Sequence, residues 1–422
     1  MLEYILKRFN LNNTVIIGGG AAGLFLAANL KGDNNLLIEG TKKLGQKILI
    51  TGGGMCNITN MDDTQEFIKR FGDKKKCNFL KPAILNLSTE NTRQWLEKAG
   101  LDIVIREDGK VFPKSLRAQS VIDILYKKLT ENGCKIRYNL KVNSVEKLDS
   151  GFKIYTDNEP IYCKKLVFTT GGKSFPKTGS DGSSYNIIKL LGHRIIKPEP
   201  ALTGLYIENY KFKTISGTSI KNSFIEFYRD GENKRYHTAN GDVLFTHKGL
   251  SGPGILNNSR VIRDGDLLKL TLIPCENREE KRSEILNLIN ESNPVTIKKF
   301  LKSLGITSSM GDLLIEFLSL DGNHTIKSLN KKVKNRIIDT LLSFLFKVKT
   351  KMDFNAAMVT SGGVDTQEIN RTTMESKLIP GLYFAGEIID IDGDTGGYNI
   401  QAAFSTAKLI SDKLNKEVEA IG

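Results

Sequence analysis

Two short stretches hold residue types that could do chemistry. The first, Gly18-Gly19-Gly20-Ala21-Ala22-Gly23, follows an apolar run from Thr14 and opens a helical pattern, and Glu39 ends the next apolar run. A glycine-rich turn between strand and helix, with an acid about 20 residues on, is the dinucleotide-binding arrangement. Gly18 permits the tight turn, and Gly20 lets the backbone approach a pyrophosphate at the helix start. Gly23 allows the helix to pack on the strand, Ala22 lies in the same turn, and Glu39 can accept hydrogen bonds from ribose hydroxyls. The plain alternative is a glycine-rich turn that holds no ligand. The second stretch, "ITGGGMCNITN" from Ile50 to Asn60, follows Lys42, Lys43 and Lys47. Gly52, Gly53 and Gly54 would let a flat ring lie against bare backbone. Asn57, Thr59 and Asn60 offer hydrogen bonds to its edge. Cys56 could deliver a proton to a substrate carbon, or simply pack the loop as a small buried thiol. His247, in "LFTHKGLSGP", is one of four histidines. It could serve at the mouth of a site or be a hydrogen-bonded structural residue.

Elements must position these residues. Thr14–Gly18 reads as a buried strand, Ala21–Leu30 as a helix and Leu36–Glu39 as a second strand, which makes a βαβ unit. Segments 64–70 and 90–99 read as helices. "LDIVIREDGKVFPKS" reads as a hairpin turning at Asp108-Gly109. A helix follows from Ala118 to about Glu131, with Gly133 as its stop. Short β runs cover 134–170 and end in "KKLVFTTGG". After Pro198-Glu199-Pro200, alternating stretches such as "NSFIEFYRDGE" predict antiparallel strands. From about Glu276 to Phe346 the pattern is helical, broken at Pro294, Gly305, Gly311 and Gly322. The C-terminal part returns to a strand, a glycine-rich loop and a helix from about Ile400. A first domain interrupted by a β piece and a helical piece is expected.

The C-terminal segment "GLYFAGEIIDIDGDTGGYNIQAAFSTA" bears on the cofactor. A helix starting at Asn399-Ile400, after Gly397, presents free N–H groups and a partial positive charge. That end would stabilise a reduced flavin at its pyrimidine edge. Glu387 and Asp390, beside Gly386, could hold the ribityl chain. Thr170, Gly171 and Gly172 would let the chain pass beneath the same group. Each segment alone could be a structural loop; together they favour FAD over NAD. No second dinucleotide turn is present, so NAD(P)H is expected as a transient electron donor.

The 422 residues suffice for two or three domains. Five scattered cysteines without a CxxC pair argue against a disulfide framework and against a zinc site, so no metal is expected. No unbroken apolar run is long enough to cross a membrane, and "LEYILKRFN" lacks a signal-peptide core. A cytoplasmic protein is expected. The net charge of +14 fits a polyanionic partner or a lysine-rich solvated surface. The basic residues cluster at Lys74–Lys76, at Lys234-Arg235 and over Lys327–Arg336.

Taken in order, Gly18–Gly23, "GQKILITGGGMCNITN", "GKVFPKS", "TTGGKSFPKTGSDGSSY", "LFTHKGLSGP", "TSGGVD" and the C-terminal segment span nearly the whole chain. They resemble the bacterial aminoacetone-oxidase-like, NAD(P)/FAD-dependent oxidoreductase family. The resemblance implies an α/β fold: a discontinuous FAD-binding, Rossmann-like domain of the glutathione-reductase type with inserted small β-barrel and helical domains. The implied division is 1–198 and 355–422 for the FAD domain, 199–275 with a return at 347–354 for the barrel, and 276–346 for the helices. Lys47 and Val142 are implied as further cofactor contacts. The chain departs from the family at Gln46 and Met55, where arginine is usual. The activities linked to the family are oxidation of a small amine, reduction of a conjugated C=C in bile-acid intermediates, and reduction of uridine in ribosomal RNA. The charge favours the last, with ribosomal RNA or a pre-ribosomal particle as partner and a small-molecule substrate as the alternative.

Overall fold

The computed structural model describes residues 12–291 and 294–420. The stretch "LEYILKRFN", read above for leader character, lies outside them. The described chain forms two compact units, one up to Pro200 and again from Met358, the other Ala201–Ala357.

The first unit is built on a seven-stranded sheet. Asn12–Ile17 lies at its centre, parallel to Asn35–Ile38 on one side and to Ile161–Phe168 on the other. Lys135–Arg137 extends the parallel set beyond Asn35–Ile38. Ile161–Phe168 uses its remaining edge twice. Its start pairs antiparallel with Gly151–Thr156, and its end pairs parallel with Leu382–Phe384, from the far end of the chain. Parallel strands are covered on both faces, so they read as continuous apolar runs. Val15, Ile16, Leu37, Leu166, Val167, Phe168 and Leu382 are accordingly fully buried. The opening helix Ala21–Ala27 and the closing helix Tyr398–Glu419 pack together, and Phe25 stacks on Phe404 with ring centres 4.4 Å apart. The discontinuity read from the sequence thus has its physical basis in one sheet and one core.

A smaller sheet of Thr59–Asn60, Lys110–Pro113 and Ile103–Ile105 flanks the glycine-rich stretch. The Asp108-Gly109 hairpin forms, with Ile105 opposite Val111 and Gly109 at φ +76°. The helix Lys74–Asn86 carries Pro82 internally and has no counterpart in the sequence pattern above.

The second unit is a closed six-stranded barrel. Among the described residues, four α-helices, from Arg278–Glu291 to Lys331–Leu342, lie between barrel strands Leu267–Leu270 and Phe344–Lys351. Barrel and helices share one apolar core, in which Phe212, Phe245 and Phe346 meet Ile285, Phe300 and Leu341. Gly311 does not break a helix as the sequence suggested; it is buried inside Ser308–Leu318, packed near Ile306 and Leu301. No helix among the described residues is long and apolar enough to cross a membrane.

Candidate functional site

The glycines and carboxylates of the first unit gather where its parallel strands end, the usual position for ligands in open α/β sheets. Gly18 follows Asn12–Ile17 at φ +103°, and a Cβ there would lie 2.7 Å from the Thr169 carbonyl oxygen. A Cβ on Gly23 would sit 2.0 Å from the Gly18 oxygen, so helix and strand touch backbone to backbone. Gly20 differs: a Cβ there meets nothing within 4 Å, and the helix after it has no side-chain cap. This leaves open space at bare N–H groups. Glu39 reaches back to the turn. One carboxylate oxygen accepts the Gly19 N–H at 2.8 Å, and the other accepts the Thr41 N–H and hydroxyl at 2.8 and 2.7 Å. Ala22 packs against Gly386, where a Cβ would lie 2.9 Å from that of Ala22. Val142 is buried at the start of Val142–Leu148, opposite Thr156.

Gly52, Gly53 and Gly54 take φ values of +56°, +67° and +89° in succession, a path that residues with side chains rarely follow. Met55 contacts Arg106, whose guanidinium covers the Phe112 ring at 4.1 Å. Cys56 also has positive φ, at +59°, and is fully buried in the apolar core. Burial pushes its thiol up to about 12, and a hydrogen bond with Thr51 only partly offsets this. Thr59 then meets the closing helix: a Cβ on Gly397 would fall within 2.7 Å of the Thr59 backbone. Gly397, at φ +99°, precedes a helix with no side-chain cap, so the N–H groups around Asn399 and Ile400 are bare. The Asn399 side chain is engaged elsewhere, accepting the Gly393 N–H at 2.8 Å and donating to the Gly393 carbonyl at 3.0 Å.

Two ion-paired clusters hold these turns in place. Lys47 Nζ donates to Glu387 at 2.7 Å and to Ser174 at 2.5 Å. Glu387 also accepts from Ser174 and from the Thr360 N–H, and Thr360 Oγ1 accepts the N–H groups of Lys173 and Ser174. This cluster pins the Thr170-Gly171-Gly172 turn; a Cβ on Gly172 would lie 2.3 Å from Thr360 Oγ1. In the second cluster, Lys76 reaches Asp390 at 2.7 Å and Asp392 at 2.8 Å, and Asp390 accepts the Gly362 N–H. Burial pulls the lysine down, but Asp392 and Asp390 outweigh it and hold it above its ordinary value.

Lys76, Ser174 and Thr360 were not singled out from the sequence. Lys76 stood out there only as one of three consecutive lysines, and nothing local marks its partners. His247 lies in the other unit, exposed in the turn after Phe245.

The buried polar atoms of these turns test whether a flavin nucleotide fits. Asn57 Oδ1, Thr59 Oγ1, Thr170 Oγ1 and the Tyr185 hydroxyl are buried without a hydrogen-bond partner in the protein. Buried polar groups are normally paired, so such orphans call for an absent partner. A planar group with polar edges, placed beside bare glycine turns and an uncapped helix start, meets that need. The residues present therefore fit FAD.

Comparison with known proteins identifies the family. The family model described as "HI0933-like protein Rossmann domain" matches residues 12–413. The chain is 31% identical over 405 residues to a protein of Haemophilus influenzae named ribosomal RNA dihydrouridine synthase, covering 94% of this chain and 96% of that one. It is 27% identical over 409 residues to a Clostridium scindens protein named 3-dehydro-bile acid delta(4,6)-reductase, covering 94% and 98%. Among solved structures, a flavocytochrome c3 fumarate reductase in its open conformation shares the fold, with a TM-score of 0.50 at 17% identity, covering 98% of this chain and 80% of that one. The chain belongs to the HI0933-like family and is a Rossmann-type, FAD-dependent oxidoreductase.

Proposed function

We propose that this protein reduces the C5=C6 bond of a uridine in ribosomal RNA to give dihydrouridine, with NAD(P)H as electron donor. The observation that carries the reading is the end-to-end similarity to a relative named for that reaction. The +14 net charge supports it, because an RNA substrate requires phosphate neutralisation. Bound FAD would supply the hydride for the β-carbon of the enone-like C4=O/C5=C6 system.

In this reading the chain's own residues bind, orient and deliver a proton. Gly18, Gly20, Ala22, Gly23 and Glu39 would receive the pyrophosphate and ribose of FAD, with Val142 as a further contact. Gly52, Gly53, Gly54, Asn57, Thr59, Thr170, Gly171 and Gly172 would hold the flavin. The helix start at Gly397, Asn399 and Ile400 would stabilise its reduced form. Lys47, Gly386, Glu387 and Asp390 shape the intervening chain. Within the first unit, Cys56 is the candidate proton donor to the α-carbon. The target base must be exposed or flipped to reach the site. The barrel at 199–275 with 347–354 and the helices at 276–346 are read as insertions into the FAD domain.

The decisive experiment is deletion of the gene followed by mapping of dihydrouridine in ribosomal RNA. Loss of one modified position, restored by the wild-type gene, is the expected result. An unchanged map would favour the second reading, a small-molecule ene-reductase, which the similarity to the bile-acid reductase supports.

A further inference from the structure

Tyr185 lies near the start of the short helix Ser184–Leu190 in the first unit. The turn at Gly182 leads straight into it. The Tyr185 N–H donates to the Gly182 carbonyl at 3.2 Å, and a Cβ on Gly182 would lie 3.3 Å from the Tyr185 ring. The residue is only 7% exposed, yet its hydroxyl has no hydrogen-bond partner among the described residues. Tyr398 and Tyr210, also withdrawn from water, behave differently. Tyr398 donates to Asp62 at 2.7 Å, and Tyr210 donates to the Gly249 carbonyl at 3.0 Å. A buried hydroxyl without a partner costs free energy, so its retention calls for a ligand that pairs with it.

The surroundings of Tyr185 show what kind of ligand that is. Its helix packs on the strand Val359–Val364. That strand holds both site carboxylates: the Thr360 N–H donates to Glu387 at 2.7 Å, and the Gly362 N–H donates to Asp390 at 3.0 Å. Burial pushes the Tyr185 phenol well above its ordinary value, and the negative charges of Glu387 and Asp390 push it further. It therefore stays protonated and can offer its O–H. Thr170 carries a second unpaired hydroxyl in the same region. A Cβ on Gly18 would fall 2.8 Å from Thr170 Cα, and a Cβ on Gly172 would fall 2.9 Å from Glu387 Oε1. Two unused hydroxyls thus accompany the turn that runs from the dinucleotide-binding glycines to the Glu387 cluster.

We infer that Tyr185 is a further cofactor-binding residue, whose hydroxyl recognises the ribityl chain of FAD together with the carboxylates of Glu387 and Asp390. The inference rests on FAD binding in this unit and adds a contact that no glycine turn supplies. A ribityl hydroxyl both donates and accepts, so it can give its proton to a carboxylate oxygen while it accepts from the phenol. A pyrophosphate only accepts, and it would bring negative charge beside two carboxylates. The donor and acceptors gathered here therefore match a sugar alcohol.

The test uses the full-length protein freed of FAD. It combines denaturant unfolding with titration by FAD and by ADP, which carries the adenosine and pyrophosphate but no ribityl chain. Tyr185→Phe should leave the apoprotein at least as stable as wild type, because it removes an unpaired buried hydroxyl and keeps the ring. It should weaken FAD about tenfold and leave ADP affinity unchanged. Tyr210→Phe serves as the control for a satisfied hydroxyl. It should lower the folding equilibrium constant about fivefold and spare FAD affinity. Unaltered FAD affinity in Tyr185→Phe, or equal weakening of FAD and ADP, overturns the ribityl contact. So does a loss of apoprotein stability matching that of Tyr210→Phe, which would mean the hydroxyl is already paired within the protein. Wild-type protein that takes up no FAD overturns the cofactor reading itself.

Discussion

Both units bury ion pairs, yet they do so to different ends. In the barrel unit, Asp266 is almost wholly buried, and its Oδ2 accepts from Arg229 and the Tyr236 hydroxyl, each at 2.6 Å, and from the Arg263 N–H at 2.9 Å. Thr271, also buried, accepts the Phe224 N–H at 2.9 Å. In the sheet unit, the Lys47 and Lys76 clusters stand beside turns whose own polar atoms stay unpaired, namely Asn57 Oδ1, Thr59 Oγ1 and Thr170 Oγ1. Around Asp266 and Thr271 the barrel closes its polar contacts on itself. The sheet unit spends its ion pairs on keeping a shape open. A buried charge pair is thus no signature of a site; unpaired polar atoms held in place by such a pair are the more telling feature.

Substitutions made in matched pairs sharpen this contrast. The largest effect is expected at Gly397→Ala. It forces a side chain into φ +99° and onto the Thr59 backbone, and should cost about 3 kcal/mol or more in thermal or denaturant unfolding. Gly231→Ala in the barrel, at φ +77° with open space around it, should cost only about 1 kcal/mol. Similar losses at both positions would show that the glycine turns of the sheet unit are not specially constrained.

Next come Lys76→Met and Arg229→Met, each leaving a buried carboxylate without its cation at a cost of about 3 kcal/mol. The barrel variant should keep its FAD affinity once folded, whereas Lys76→Met should lose it, as titration of the apoprotein with FAD would reveal. The lysine's folded value is raised, so its contribution is fully present below about pH 10.4, the ordinary lysine value. It disappears as pH climbs through the folded value. The gap between wild type and Lys76→Met should therefore hold at neutral pH and close in strong alkali.

The paired threonines give a smaller and more diagnostic difference. Thr271→Val should destabilise the protein by about 1 to 2 kcal/mol through the stranded Phe224 N–H. Thr59→Val should leave the apoprotein as stable as wild type while weakening FAD about tenfold. A Thr59→Val protein with unaltered FAD affinity would remove that hydroxyl from the site.

The smallest expected signal is at Cys56, whose buried thiol is pushed up to about 12. It should resist alkylation at pH 8 in the native apoprotein and react once the chain is unfolded. Its stabilising contribution is present below about pH 8.5, the ordinary thiol value, and is lost only as pH rises toward 12. Rapid native alkylation would place it at an accessible surface instead.

Much of the architecture was legible because its signals are local. The Gly18–Gly23 turn, the apolar strands around it and Glu39 lie within one βαβ unit, and the Gly19 N–H to Glu39 contact closes it. The helix Ala118–Glu131 and the Asp108-Gly109 hairpin follow from patterns a few residues long. The helix Lys74–Asn86 was not legible. Its three leading lysines read as a surface cluster, and Pro82 argues against a helix there.

Sequence alone carried the strand–turn–helix that fits a dinucleotide and the overall excess of positive charge. Each is written in neighbouring side chains or in composition. Tertiary structure alone decided that Lys76 would meet Asp390 and Asp392, 314 and 316 residues away, and that Lys47 would meet Glu387, 340 residues away. Coulomb attraction and repulsion depend on distance in space, and only the folded backbone sets that distance.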